Sequence, residues 1–359
     1  MSKIAVIILN WNGIEHGLIR QYLPSVVKYS SREDTQVIVA DNGSQDASIQ
    51  VLKDEFPSVR IIALDQNYGF AEGYNRAIGQ VAQDDEAPEY VVLLNDDVRV
   101  TPCWLDPLVE YMDRHRRCAG LQPKLLKDIT GLSSMTTKPD QPDYFEYAGA
   151  CGGYLDNMGY PYCRGRIFDD VEEDHGQYDL PTGEAWPVMW ASGACLMVRT
   201  QVYLQAGGLD KRFFAHMEEI DLCWRLRRMG YELVCVPQSR VYHKGGASLP
   251  QGNPKKTRLN FRNSLVMMWK NLPADNCNKI LFRRKLLDGL AALNFLLHGK
   301  FNQVWAIFKA HREADEMITH QYSASELVGF GKALVFKQEK ISILFNYYLR
   351  GKKRYSELF

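Results

Sequence analysis

Short aliphatic runs alternate with amphipathic stretches through the first hundred residues. The runs are bounded by polar or turn-forming residues, and each intervening stretch has the spacing of a helix with one apolar face. Continuous apolar strands separated by such helices are typical of a parallel sheet that is covered on both faces. The pattern therefore predicts an α/β fold with a mostly parallel sheet flanked by helices, whose first strands cover 4–9, 37–40, 59–64 and 90–94.

The periodic pattern is interrupted between residues 128 and 187, where Gly, Pro, Asp and Tyr predominate. We expect a long insertion of loops and short strands there, of the kind that carries substrate contacts. Regular structure is predicted again by the apolar run 188–198, a helix that starts near 217 and a strand at 232–236. After Gly252 the pattern is helical to the end of the chain.

These changes predict two regions. One large domain covers 1–250, with a change of pattern after residue 127, and a basic helical C-terminal region covers 251–359. Lys and Arg against Asp and Glu number 24 against 35 in the first region and 19 against 8 in the second, although the whole chain has a formal charge of zero. A split of this kind indicates that the second region faces something anionic, either a membrane surface or a nucleic acid.

The eight cysteines are scattered, with neither a CxxC pair nor the spacing of a zinc site. Several lie in apolar runs, where a thiol acts as a small core residue. A reduced, cytoplasmic setting is therefore expected. The first residues have no signal-peptide layout, and no uninterrupted apolar stretch reaches the ~18 residues of a membrane-spanning helix.

Acidic residues follow two of the predicted strands. Asp41 comes after the strand at 37–40, and Asp96 and Asp97 come directly after the strand at 90–94. Ligands bind beyond the carboxyl ends of parallel strands, and hard oxygen ligands there suit Mg²⁺ or Mn²⁺ together with phosphate oxygens. The alternatives are a turn or helix cap for Asp41 and a solvated turn for the Asp pair.

Three further stretches carry candidate chemistry. Gly69 and Gly73 open a predicted helix and would let the backbone approach a ligand, although the spacing does not match a dinucleotide fingerprint. Acids at the start of the helix near 217 either complement its dipole or supply a general base. His243 follows a strand directly, which favours a metal or phosphate role over a purely structural one.

The order of these motifs resembles the family-2 glycosyltransferases, inverting sugar transferases with the nucleotide-diphospho-sugar-binding fold called GT-A. "VIILNWNG" is similar to the family's first strand and loop, "VADNGSQD" to "vDNgSxD", and "NYGFAEGYNRAI" to "NxGfaxgxNrg". "LLNDDV" stands at the metal motif, and "MEEIDLCWRL" resembles the block "EDvDLcxRl". The resemblance covers roughly 3–250 and is to the bacterial, rhamnosyltransferase-like branch. It implies that 1–250 is a GT-A catalytic domain, with a nucleotide-sugar-binding half at 1–127 and an acceptor half at 128–250.

The resemblance implies roles for individual residues. Asp97 and His243 are expected to hold Mg²⁺ or Mn²⁺, and Glu219 is expected to be the base, with Glu218 left open as the alternative because the family has Glu-Asp there. Trp190 and Asp221 are expected to contact the acceptor. The residues expected to bind the nucleotide sugar are Asn10, Asn12, Asp41, Asn67, Gly69, Asn75 and Asp96.

The implied reaction is direct displacement at the anomeric carbon of a nucleotide-diphospho-sugar, with deoxythymidine-diphospho-rhamnose as the first donor expected. The acceptor would be a saccharide, lipid-linked through a polyprenyl diphosphate, in cell-surface polysaccharide synthesis. The alternatives are a sugar nucleotidyltransferase, which would want a basic glycine-rich loop after the first strand, and a non-catalytic sugar-nucleotide-binding protein.

Residues 251–300 contain ten Lys and Arg against two acids. Within them, one helical stripe is formed by Phe282, Leu286, Leu290, Leu293 and Leu297. A basic amphipathic helix can lie in an anionic membrane surface, which predicts peripheral attachment at the inner face of the cell membrane. The alternative is that the stripe packs on the catalytic domain. Nucleic-acid binding is not expected, because no recognised module is present.

Overall fold

The computed structural model describes residues 3–129, 142–245, 252–323 and 340–359. The strands are β1 Ile4–Asn10, β2 Thr35–Asn42, β3 Arg60–Leu64, β4 Tyr90–Asn95, β5 Val98–Val100, β6 Cys118–Lys127, β7 Gly153–Leu155, β8 Pro161–Cys163, β9 Arg166–Ile167, β10 Asp170–Val171, β11 Trp186–Pro187, β12 Cys195–Arg199 and β13 Glu232–His243. The helices are α1 Leu18–Tyr29, α2 Ser48–Glu55, α3 Gly69–Val81, α4 Leu105–Arg114, α5 Thr200–Gln205, α6 Glu218–Arg228, α7 Pro254–Asn271, α8 Ala274–Leu297 and α9 Phe301–His320.

The central sheet of the described residues has the order β3-β2-β1-β4-β12-β6-β13-β11, and β5 pairs with β13. Strands β1 to β4 are parallel to one another, β13 is parallel to β6, and β12 is antiparallel to both of its neighbours. The prediction of a mostly parallel α/β sheet is therefore confirmed. The register places Asn10 opposite Asp41, and Leu9 opposite Asn95, so the carboxyl ends of β1, β2 and β4 meet at one edge.

Alternate residues of β1 enter the hydrophobic layers on opposite faces of the sheet. Ala5 and Ile7 pack with α3, while Ile4, Val6 and Ile8 pack with α1 and α4. Burial on both faces explains why the strands read as continuous apolar runs. The sheet is thus a rigid platform for the polar residues at its carboxyl edge.

The aperiodic region contains short strands, as predicted, and β7 to β10 form a small antiparallel sheet. The apolar run 188–198 forms a strand only from Cys195, because the chain before it turns through Ser192, whose N–H bonds the Gln122 side chain. The strand predicted at 232–236 continues to His243, with an irregularity between Val236 and Arg240. All eight cysteines are free thiols.

Helices α7, α8 and α9 follow the sheet, and their inner faces join the larger hydrophobic cluster of the catalytic region. The Asn263 side-chain amide donates to the carbonyls of Phe213, Ala215 and His216, which fixes α7 against that loop. The boundary predicted at 250 stays a prediction, and it falls within 246–251, outside the described residues. In the described ranges, no helix is both long and apolar enough to cross a bilayer.

Candidate active site

The ends of β1 and β2 are joined by a buried hydrogen-bond network around Asp41. One Asp41 oxygen accepts from the Asn10 side-chain amide at 2.8 Å and from the Ser44 hydroxyl at 2.6 Å, and the other accepts from the Ser44 N–H at 3.0 Å. Asp41 and Asn10 are both fully buried. These bonds fix the loop after β2, where a nucleotide is expected in this kind of sheet.

The loop after β1 is held to the same network through Asn12, which has a positive φ of 50°. Its N–H donates to the Ser44 hydroxyl, and its side-chain oxygen accepts from the Gln45 N–H, both at 2.8 Å. Asp46 accepts from the N–H groups of Ile14 and Glu15 and is therefore a loop-capping residue. Both loops are preorganised by their own side chains.

Asp97 and His243 meet beyond the ends of β4 and β13. Asp97 Oδ1 lies 2.9 Å from His243 Nε2, and both side chains are buried. The Asn95 side-chain nitrogen lies 3.3 Å from the same His243 atom. On the other side of the ring, Glu146 Oε1 lies 3.3 Å from His243 Nδ1. The imidazole is therefore placed between two carboxylates.

The repulsion between Asp96 and Asp97 is reduced because their pKa values are shifted in opposite directions. Burial, together with the charge of Asp97, raises the pKa of Asp96 to about 8. Burial also pushes the pKa of Asp97 upward, but the charge and hydrogen bond of His243 outweigh it, so that pKa lies below its usual range. Asp96 is thus the protonated member at neutral pH and Asp97 the carboxylate.

The Asp97 and His243 side chains suit a divalent cation. Burial lowers the pKa of His243, but the charges of Asp97 and Glu146 outweigh burial and raise that pKa well above its usual value. A cation must therefore displace the Nε2 proton before Asp97 Oδ1 and His243 Nε2, 2.9 Å apart, can both bind it. Mg²⁺ and Mn²⁺ commonly take few protein ligands and complete their shell with phosphate and water. Among the described residues, no group of three or more His, Cys, Asp and Glu side chains is arranged to hold a metal alone. The pair would therefore share an ion with a bound diphosphate.

The start of α3 is fixed by side chains of its own loop and by a contact with the segment before α6. The Asn67 side-chain oxygen accepts from the Gly69 N–H at 2.8 Å. Gly69 has a φ of 77°, and a Cβ there would lie 2.6 Å from the Phe214 ring, so this glycine permits close approach of Phe214. The loop at the start of α3 and the segment before α6 are therefore in contact at Gly69.

The Asn75 side chain bonds to other parts of the protein, and its contact with the nucleotide sugar stays a prediction. Its amide donates to the Leu209 carbonyl at 2.7 Å, and its side-chain oxygen accepts from the Tyr203 hydroxyl at 2.7 Å and the Leu209 N–H at 2.9 Å. These bonds attach α3 to the turn after α5.

Glu218 and Glu219 open α6 after a strained segment. Phe214, His216 and Met217 all have positive φ values of 65° to 72°, which non-glycine residues rarely adopt outside functional sites. In the described residues, one oxygen of each glutamate is buried without a hydrogen-bond partner. The strained backbone before α6 thus places two carboxyl groups at the start of the helix, with one oxygen of each buried.

The two glutamates differ in exposure and in proton affinity. Glu218 is buried, and burial together with the charge of Glu219 raises its pKa well above the usual value. Glu219 is only partly buried, and burial raises its pKa to about 7. A carboxyl group with that pKa is suited to general-base chemistry at neutral pH.

The loop before β12 connects the Asp97 region to Glu219. The Asn95 N–H donates to the Ala194 carbonyl at 3.0 Å. At the preceding Gly193, a Cβ would lie 3.3 Å from the Phe70 ring and 3.5 Å from Glu219 Cβ. The predicted metal motif, the start of α3 and the predicted base are therefore consecutive neighbours around one edge of the sheet.

Trp190 and Asp221 are both buried, and their expected contact with the acceptor stays a prediction. Trp190 is buried under Gly153 and donates to the Tyr154 carbonyl at 3.0 Å. Asp221 is fully buried and accepts from Arg225 Nε at 2.9 Å, Lys270 Nζ at 2.9 Å and the Asn271 amide at 2.8 Å. Asp221 joins α6 to α7, and Trp190 supports the small sheet.

Glu146 is a site residue that the sequence pattern did not predict. It lies between the bridge residue Phe145 and β7, in the aperiodic insertion, and one of its oxygens accepts from the Ala148 N–H at 2.6 Å. No strand end or helical period marks the position. The available signal was an acid flanked by aromatic residues in "YFEYAG".

The sequence matches known proteins over the part that carries this site. The family model described as "Glycosyl transferase family 2" matches residues 5–173. An N-acetylglucosaminyl-diphospho-decaprenol L-rhamnosyltransferase of Mycobacterium tuberculosis is 31% identical over 231 residues, which are 63% of this chain and 71% of that protein. The rhamnosyltransferase WbbL of Escherichia coli is 36% identical over 56 residues, 16% of this chain and 21% of the relative.

Solved structures have the same fold at low sequence identity. GalNAc-T7 with UDP, GalNAc and Mn²⁺ superposes with a TM-score of 0.58 and 16% identity, covering 90% of this chain and 58% of that chain. The mannosyltransferase PcManGT of Pyrobaculum calidifontis, in complex with GDP-Man and Mn²⁺, has a TM-score of 0.50 and 13% identity, covering 90% of this chain and 77% of that one. The GT-A fold expected from the sequence is confirmed.

Proposed function

The chain belongs to glycosyl transferase family 2 and is a glycosyltransferase of the GT-A fold, and we propose that it transfers a sugar with inversion from a nucleotide-diphospho-sugar to a lipid-linked saccharide in cell-surface polysaccharide synthesis. The observation that carries the proposal is the arrangement at one edge of the sheet. There, the Asp97–His243 pair and Glu219 lie on either side of the Gly193–Ala194 loop.

On the donor side, we propose that the nucleotide binds along the β1–β2 edge, against the loops fixed by Asn10, Asn12 and Asp41. Asp97 and His243 would hold a divalent ion beside the diphosphate. A bound ion of this kind neutralises charge that develops on the departing nucleoside diphosphate. Asp96, next to Asp97 at the end of β4, would lie beside the phosphate or the sugar.

On the acceptor side, Glu219 takes the proton from the attacking hydroxyl. One of its oxygens has no hydrogen-bond partner among the described residues, and its raised pKa suits it to accept a proton near neutral pH. Attack from the side of Glu219, opposite the leaving diphosphate, inverts the configuration at the anomeric carbon. Glu218, more deeply buried and more strongly protonated, is proposed to shape the environment of Glu219 rather than to act as the base.

The relative in M. tuberculosis is named for a rhamnosyl donor group and a diphospho-decaprenol acceptor. By analogy we propose deoxythymidine-diphospho-rhamnose as donor and a saccharide on a polyprenyl diphosphate as acceptor. An acceptor anchored in this way places the enzyme in the cytoplasm at the inner face of the membrane, with the basic C-terminal region 251–300 towards anionic lipid.

The test is acceptor-dependent release of nucleoside diphosphate from a panel of nucleotide sugars, with and without Mn²⁺. We expect turnover with one nucleotide class and a short-chain diphosphate-linked N-acetylglucosamine acceptor. A sugar nucleotidyltransferase would instead consume a nucleoside triphosphate and a sugar phosphate. A non-catalytic binder would be stabilised thermally by the nucleotide sugar and would never release product.

A further inference from the structure

The α8–α9 hairpin presents its large apolar side chains to solvent. On α8, the stripe predicted from sequence is exposed, with Phe282 at 65% and Leu297 at 76%. On α9, the first turns expose Phe301 at 67% and Trp305 at 65%, and the Trp305 and Phe308 rings stack at 5.4 Å. Continuous apolar surface of this extent on a soluble domain marks an interaction site.

The hairpin packs on the rest of the protein through the opposite side of α8. There, Arg284 and Asp288 are buried and paired at 2.9 Å, and Asp288 also lies 3.1 Å from His311 of α9. Arg284 also contacts the Tyr160 ring at 3.8 Å. The apolar stripe is therefore not the packing face, which corrects the alternative that the stripe covers the catalytic domain.

The positive charge of the hairpin is concentrated at its turn. Residues 274–320 contain seven Lys and Arg against five Asp and Glu, whereas 293–309, around the turn, contain two Lys and no acid. Lys279, Arg283, Lys300 and Lys309 are exposed around the stripe. An apolar face flanked by cations matches an anionic bilayer, where acyl chains receive the apolar groups and headgroups attract the cations.

The turn of the hairpin lies near the start of α7, which also contacts the segment before α6. The Gln303 side chain of α9 donates to the Gly252 carbonyl at 2.6 Å, just before α7 begins. Lys255 in the first turn of α7 lies 5.4 Å from the centre of the Phe214 ring, which itself packs on Gly69. Contacts thus run from the hairpin turn to the segment that precedes Glu219.

We propose that the hairpin tip, defined as Leu293, Leu296, Leu297, Phe301, Trp305 and Phe308, inserts into the interface of an anionic membrane. The helices then lie in the membrane plane, with Trp305 at headgroup depth and the candidate active site on the side of the bilayer. Presentation of a lipid-linked acceptor to that site rests on the function proposed above, whereas membrane binding does not. A second copy fits less well, because a self-complementary contact would bring the same cations together.

The experiment is co-sedimentation of the full chain with vesicles of phosphatidylglycerol and phosphatidylethanolamine, compared with phosphatidylcholine vesicles. We expect binding to the anionic vesicles that weakens at high salt. A triple variant, Leu297→Ser with Phe301→Ser and Trp305→Ser, should bind at least about tenfold more weakly, because it removes three exposed apolar groups. Leu204→Ser, an exposed leucine of α5, is the matched control and should bind as the parent does.

Light scattering is measured on the same proteins. The proposal is overturned if the parent does not sediment with anionic vesicles, if the triple variant sediments equally well, or if the tip instead mediates a dimer that the triple variant dissolves. Turnover with a soluble, short-chain acceptor should be unchanged in the triple variant. If the parent turned over no acceptor, the proposed function would be contradicted, but the result with vesicles would still test membrane binding.

Discussion

The acids at the strand ends and the acids at the start of α6 occupy opposite kinds of environment. Asp41 and Asp97 receive strong polar partners: three hydrogen bonds in one case and His243 in the other. Glu218 and Glu219 each keep a buried oxygen without a partner. Asp41 and Asp97 are thus held in place by polar partners, and His243 lowers the pKa of Asp97, whereas burial raises the pKa of both glutamates, which retain affinity for a proton.

Asp221, the third acid in the first turn of α6, shows that position at the start of a helix does not by itself raise the pKa of a carboxyl group. It lies in the first turn of α6 with the two glutamates, yet Arg225 and Lys270 neutralise it, and despite burial its pKa stays below the usual value. The helix start favours all three acids equally through its dipole. Local partners therefore determine which acid acts as a base and which one holds the fold.

Replacing the base should have the largest effect on activity. Glu219→Gln keeps the shape but cannot accept a proton, so we expect kcat to fall by about 10³, within the usual contribution of a general base. The KM for the donor and the donor-induced thermal shift should be unchanged. Glu218→Gln is the matched control, and a larger loss of kcat in that variant than in Glu219→Gln would reverse the assignment of the two glutamates.

Removing the strand-end carboxylate should act on ligand binding. In Asp97→Ala the cation would lose its carboxylate, and we expect turnover to fall by roughly 10² or more, with loss of the Mn²⁺-dependent part of the nucleotide thermal shift. Calorimetric titration of Mn²⁺ with the nucleoside diphosphate provides a readout independent of turnover. An Asp97→Ala protein that binds Mn²⁺ and nucleotide as the parent does would remove Asp97 from the metal site.

Asp221→Asn should affect stability rather than chemistry. The change leaves Lys270 and Arg225 buried without one of their carboxylates, and breaking a buried pair costs about 3 kcal/mol in the free energy of unfolding. Urea denaturation measures the loss, and kcat at a temperature where the variant is folded should be close to that of the parent. A normal free energy of unfolding with a large loss of kcat would instead place Asp221 at the acceptor site.

Sequence patterns were sufficient for the strands that carry the site, because two-sided burial produces continuous apolar runs whose ends are visible. Asn75 and Trp190 could not be assigned from the same patterns, since an amide or indole looks alike whether it faces a ligand or a buried carbonyl. Glu146 was missed because tertiary contact alone brings it to His243.

The apolar stripe of α8 also shows that a sequence pattern does not identify the partner of a side chain. Its period was visible in the sequence, but which face of the helix packs was not. The packed face uses Arg284, Asp288 and Cys277, residues that a simple apolar pattern would assign to solvent. The periodicity of a sequence identifies the apolar face of a helix, but the surface that packs against the helix depends on the rest of the protein.

The pH dependence tests the same contrast between partnered and unpartnered acids, and the accompanying change in Tm is the smallest effect that we predict. Since the Glu219 base must be ionised, kcat/KM should rise about tenfold per pH unit below the pKa of about 7 and level off above it. Because the pKa in the folded protein lies above the ordinary 4.5, Glu219 contributes stability that is complete below pH 4.5 and is lost as the pH rises through 7. Glu219→Gln should therefore raise the Tm at pH 8 by on the order of 1–2 °C relative to the parent and have less effect at pH 5. A pH profile flat from 5 to 8 in the parent, or a Tm difference independent of pH, would mean that Glu219 is already ionised at low pH and is not the group whose proton affinity the dry site raises.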